Sequence, residues 1–95
     1  YHALCVLSGN FTTLVWAKAF KDFEQHLGLP REILLPYLER TCRNTASSGG
    51  DALTGSLARG DRETVERDLR ALAGDPYADV FEALTRVFEL EEVKR

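Results

Sequence analysis

The side chains with chemistry to offer are few: His2 and His26, Cys5 and Cys42, Asn10 and Asn44, and Arg59 ahead of a glycine. A metal centre would need His2, Cys5, His26 and Cys42 to converge. His2 and His26 fall on one continuous helical pattern, ~36 Å apart at ~1.5 Å per residue. They do not share an ion, no closely spaced cysteine pair exists, and we expect no metal. Ser47-Ser48-Gly49-Gly50 lacks the strand, glycine spacing and lysine of a phosphate cradle, and no strand–turn–helix dinucleotide fingerprint occurs. Arg59-Gly60-Asp61 spells a cell-adhesion tripeptide, but a glycine turn feeding a helix cap explains it more economically.

Four polar residues remain that a plain helical bundle does not require. His2 and Asn10 sit on the most apolar stretch of the first helix, about two turns apart with a rotation of ~80°, so they flank one side without touching. A core histidine and a core asparagine satisfied by backbone or water account for them as well. Asn44 and Arg59 bracket the central loop, and each also reads as an ordinary cap or surface residue.

The elements that hold these residues are helical throughout. From Tyr1 to Leu27 only Gly9 interrupts, and Gly28 with Pro30 ends the run. Cys5, Gly9, Trp16, Phe20, Phe23 and Leu27 share one face, with Ala3, Leu7 and Leu14 on another. The first half is therefore apolar nearly all round, and such a helix must be covered on every side. A dimer partner or a missing domain is the expected cover. Pro30 suits the first turn of a second helix whose inward side is Ile33, Leu34, Tyr37, Leu38 and Thr41, with Pro36 kinking or restarting it. Asn44 to Asp51 reads as a loop and Ala52 to Ala58 as a short helical turn. Asp61 caps a helix carrying Val65, Leu69 and Leu72 up to Gly74. Asp75 and Pro76 open the last one, with Tyr77, Val80, Phe81, Leu84, Val87 and Phe88 as its core stripe. The expected fold is all-α, an irregular bundle of about four to six helices with one long N-terminal helix.

With 95 residues, 44% hydrophobic and 28% charged, the chain fits one domain, 1–95, of modest stability. A net charge of −3 is the wrong sign for gripping nucleic acid. The apolar run Ala3–Leu7 is broken by Ser8, Gly9 and Asn10, short of the about 20 residues of a membrane span, and no signal-peptide pattern is present. We expect no membrane association, a cytoplasmic location with Cys5 and Cys42 as buried thiols, and a piece of a longer chain, since Tyr1 already lies inside a helical pattern.

The run Tyr1-His2-Ala3 with Asn10, Asn44, and Ala52-Leu53-Thr54-Gly55-Ser56-Leu57-Ala58-Arg59-Gly60-Asp61 followed by Thr64-Val65 and Leu69 resembles domain of unknown function 2520. This is the helical C-terminal domain that follows an NADP-binding Rossmann domain in bacterial proteins taken to be oxidoreductases. The family usually has proline where Ser56 stands. Such domains are similar to the C-terminal domains of 6-phosphogluconate dehydrogenase and ketopantoate reductase, which pair subunits and close a cleft over the nicotinamide. The resemblance implies a homodimer, a partner Rossmann domain of the same protein, NADP held there and no cofactor in this chain. Laid on the spacing of ketopantoate reductases, His2 takes the place of a catalytic lysine, Val6 that of a first asparagine and Asn10 that of a second. His2 would then be the proton donor after hydride delivery and Asn10 would orient a substrate oxygen. Asn44, Thr54 and Arg59 would contact substrate or cofactor, Arg59 holding an anion. A helical module serving only protein–protein assembly is the alternative.

Overall fold

The structure, a computed structural model, describes residues 1–93. Every element among them is helical, the all-α fold expected from the sequence. The chain forms two compact units, Tyr1–Gly49 and Gly50–Arg95.

In the first unit, α1 runs from His2 to Leu27. It stops where Gly28 takes a left-handed conformation, φ 64°, that a side chain would strain. The Leu29 N–H then closes on the Phe23 carbonyl at 2.9 Å. Val6–Asn10 is not α-helical: it is a π-turn, in which the Phe11 N–H reaches the Val6 carbonyl five residues back. Pro30 is extended, a 3-10 turn follows at Arg31–Ile33, and α2 spans Leu35–Ser48 with Pro36 in its first turn. Pro36 therefore restarts the helix and does not kink it, since a first-turn residue has no intrahelical N–H bond to lose. The ring of Trp16 meets Phe20 at 6.0 Å and Tyr37 at 5.8 Å, and the Arg31 guanidinium lies 5.0 Å over Phe20. The Trp16–Tyr37 pair joins the start of α2 to the middle of α1, and the cation–π contact joins the 3-10 turn to it.

Three expectations need correction here. Residues 44–48 are helix and not loop: the Ser47 hydroxyl donates to the carbonyls of Arg43 (3.0 Å) and Asn44 (3.3 Å), so it bonds along the helix and does not pull the backbone out of it. Of the inward set of the second helical segment, Leu34 and Leu38 are half-buried and Tyr37 faces Trp16 although partly exposed, while Ile33 and Thr41 are exposed. Cys5 and Cys42 are both exposed thiols within this chain.

A 3-10 turn at Gly49–Ala52 leads into the three helices of the second unit: α3 (Gly55–Arg59), α4 (Arg62–Ala71) and α5 (Tyr77–Val93). Left-handed Gly60, φ 70°, ends α3, and Asp61 opens α4 at once. The Asp61 carboxylate accepts from the Thr64 N–H at 3.2 Å and the Thr64 hydroxyl at 2.8 Å. Those two bonds, with added attraction from Arg59 and Arg67, hold the carboxyl below its ordinary range against some opposing desolvation. Arg59-Gly60-Asp61 is thus a helix-stop and helix-start signal. Asp75 accepts from the Tyr77 N–H at 2.8 Å and so caps α5. The apolar stripe of α5 divides: Tyr77, Phe81 and Phe88 are half-buried, as are Val65 and Leu69 of α4 and Leu72 just after it, whereas Val80, Leu84 and Val87 stand exposed. One short helix offers cover to one side of α5 only.

Candidate functional site

α1 carries both residues with the clearest chemical reading, and its first half sets their surroundings. From Tyr1 to Ala17 it has no Asp, Glu, Lys or Arg. Trp16 apart, most of its large side chains nonetheless face outward: Leu4 is 68% exposed, Leu7 58%, Phe11 51% and Leu14 54%. No residue among those described is fully buried. The uncharged stretch ends at Lys18, paired to Asp22 at 2.5 Å, beyond which the helix is amphipathic. By length and composition alone α1 is also long and apolar enough to cross a membrane.

His2 stands one residue into α1 and Asn10 closes the π-turn; both are exposed. A straight α-helix would set them ~80° apart. A π-turn takes in one extra residue, which offsets ~100° and leaves the two within ~20° of one line. Periodicity counting at a fixed 100° missed this, and Gly9, tolerated mid-helix, was the one local hint. The pair still lies ~12 Å apart along the axis, so a ligand touching both must extend over two turns. Asn44 is exposed on α2 of the same unit, its carbonyl accepting from Ser47. In the second unit, Thr54 is the N-cap of α3 without a capping bond from its hydroxyl, and exposed Arg59 ends that helix. The first unit thus holds His2, Asn10 and Asn44, and the second holds Thr54 and Arg59.

The second unit also has a feature unpredicted from its sequence: an open groove of about 500 Å³ between its helices. Leu57, Val65, Leu69, Phe81 and Phe88 give it apolar walls. Its rim is charged, with Arg62 to Glu89 at 3.9 Å and Arg86 to Glu82 at 4.0 Å. Thr54 and Arg59 do not line it. No group of three or more His, Cys, Asp or Glu side chains fit to hold a metal occurs among the described residues.

Known proteins agree with this architecture. The sequence profile of the family described as Domain of unknown function (DUF2520) matches residues 1–88. The chain belongs to the DUF2520 family. A crystal structure of the "putative NADP oxidoreductase" BF3122 from Bacteroides fragilis superposes with a TM-score of 0.79 at 30% identity, over 92% of this chain. The DUF2520 chain spans 34%, about a third, of that protein's length. No curated protein matches it.

Proposed function

We propose that this DUF2520 chain is the dimerising, cleft-closing helical domain of an NADP-dependent cytoplasmic oxidoreductase, inactive without its nucleotide-binding partner domain. The observation that carries the reading is the uncharged, outward-facing first half of α1, with His2 and Asn10 set into it. A helix apolar on all sides and covered on few has its remaining cover in another polypeptide. Two polar residues inside such a surface end up in a desolvated crevice, where a proton donor and a hydrogen-bond donor act most strongly.

Nothing among the described residues builds a dinucleotide site, for there is no strand to carry a glycine-rich turn. The nucleotide belongs to a Rossmann domain outside these 95 residues, consistent with a relative about three times as long. When bound there, the nicotinamide supplies hydride to a carbonyl or imine carbon. This chain's part is to donate a proton from the His2 ring to the oxygen or nitrogen left behind, and to hold the far end of the substrate at the Asn10 amide. Arg59 carries a permanent positive charge suited to a substrate anion or a cofactor phosphate. Asn44 and Thr54 offer neutral hydrogen bonds.

Titrating the full-length protein with NADPH, alongside light scattering in aqueous buffer, tests the reading. Saturable NADPH binding by a dimer supports it. A dimer that ignores NADPH turns the chain into an assembly module, a reading that the second exposed stripe on α5 also favours. A particle stable only in detergent would assign the face of α1 to a membrane.

A further inference from the structure

Three local choices that each disfavour a helix coincide between Val6 and Asn10. Gly9 is a poorer helix former than any residue but proline. The π-turn replaces ordinary i to i−4 bonding. Asn10 is polar and ends the turn, within a stretch otherwise apolar as far as Ala17 apart from small hydroxyl residues and His2. Gly9 is not required by crowding, since a Cβ there would meet nothing within 4 Å. A hydroxyl inside the irregular segment and one beyond it bond back along the helix: Ser8 donates to the Leu4 carbonyl at 2.7 Å and Thr13 to the Gly9 carbonyl at 3.0 Å. Sequences depart from local rules in this way chiefly where function compensates, and π-turns concentrate at functional sites.

We propose that the π-turn at Val6–Asn10 is a positioning device that swings His2 onto the line of Asn10, so that both face one extended ligand lying along two turns of α1. Gly9, Ser8 and Thr13 are its positioning residues. The inference rests on the cleft reading above and adds to it a register: His2 faces the ligand only while the turn offsets about one residue's worth of rotation. The ligand class follows from the spacing. It is elongated, with a group that takes a proton at the His2 end and a hydrogen-bonding oxygen at the Asn10 end, as in a nicotinamide nucleotide carrying a substrate at its ring.

The test uses NADPH as the probe and the full-length protein, and reads modification of individual histidines by diethyl pyrocarbonate. At about 100 times its Kd, NADPH leaves the site open about 1% of the time, so His2 should react up to ~100-fold more slowly with it than without it. His26, ~36 Å away along α1, serves as the internal reference. Inserting one alanine after Gly9 rotates His2 by ~100° and should abolish its protection while NADPH still binds. In that insertion variant, His2→Ala with Ala3→His returns an imidazole to the original direction and height, and protection should return. Recovery in the doubly altered helix separates register from loss of fold. If NADPH binds and shields His2 equally before and after insertion, the register inference is overturned and the cleft reading stands. If NADPH fails to bind the wild-type protein, both fall; if it binds without shielding His2, the register inference falls and the cleft reading stands on its own test.

Discussion

Tyr1–Ala17 and α4 show two ways of making a helix. Six of the ten residues of α4 are charged, its Thr64 N–H is met by the Asp61 carboxylate, and its apolar residues Val65 and Leu69 are both half-buried. Its own sequence says where it starts, which face it buries and that the other belongs in water. Tyr1–Ala17 has no charged side chain, no side-chain cap and apolar residues on all sides, and it is interrupted by a π-turn. Helix α4 is specified locally, whereas the first half of α1 leaves apolar side chains exposed within this chain. On the function proposed above, the contrast separates residues that fold this chain from residues that meet a partner.

The strongest attempt to break that contrast puts charge where α1 has none. Leu7→Asp with Phe11→Asp removes two exposed apolar side chains from each copy. A two-fold interface would lose both twice, at roughly 1.5–3 kcal/mol for each burial. That sum exceeds the ~4 kcal/mol between micromolar and nanomolar affinity, so the variant should be monomeric at micromolar concentration by light scattering. An unchanged dimer mass would place the interface elsewhere. Next in size is His2→Ala in the full-length protein. Turnover should fall about 10²- to 10⁴-fold with NADPH affinity unaltered, the range expected for loss of a general acid. Full turnover in that variant would remove His2 from the chemistry.

Two substitutions on α5 sharpen the comparison within one helix. Phe81 is half-buried against α4 and lines the groove, so Phe81→Ala should cost about 2–3 kcal/mol, less than the ~3–5 of a fully buried aromatic. Leu84, 57% exposed, lies on the outer stripe. If nothing covers that stripe, Leu84→Ala changes thermal stability by no more than about 0.5 kcal/mol. A cost near that of Phe81→Ala, especially one that depends on protein concentration, would show that the stripe is a second contact surface.

The limits of sequence reading follow the same division. Gly28 with Pro30, Gly60 with Asp61, and Asp75 with Pro76 were legible as stops and caps because each works through its own backbone geometry and one or two neighbours. The outward face of α1 was legible for a similar reason, since an uncharged run of that length has no solvated side. Illegible were features that depend on which of two local bonds prevails. Ser47 bonds back along α2 and carries the helix four residues past Asn44, although the same residue types usually mark a loop. The π-turn moves His2 relative to Asn10 while leaving the composition of α1 unremarkable. The division of the α5 stripe depends on how much helix packs against it, which periodicity does not count. Of the site residues, His2 and Asn10 were legible as polar intrusions in apolar sequence and Asn44 and Arg59 as polar residues bracketing the expected loop, while Thr54 stood out through the family resemblance.

The smallest expected effect tests the locally specified half at its cap. Hydrogen bonds from Thr64 lower the carboxyl pKa of Asp61 in the folded state. The unfolded chain therefore binds more protons than the folded one between the two values, and stability rises with pH across that window. The contribution is complete above the ordinary carboxylate range and is lost as pH falls through the depressed folded value. Asp61→Asn keeps an acceptor for the Thr64 N–H but removes the titrating group, so it should flatten this part of the acid melting profile followed by circular dichroism. Asp61→Ala should lower stability at neutral pH as well, because the first turn of α4 then loses its acceptor. Equal acid profiles for wild type and Asp61→Asn would mean that Thr64 does not hold the carboxylate in solution. Helix α4 would then depend on its packing against α5 more than on its cap.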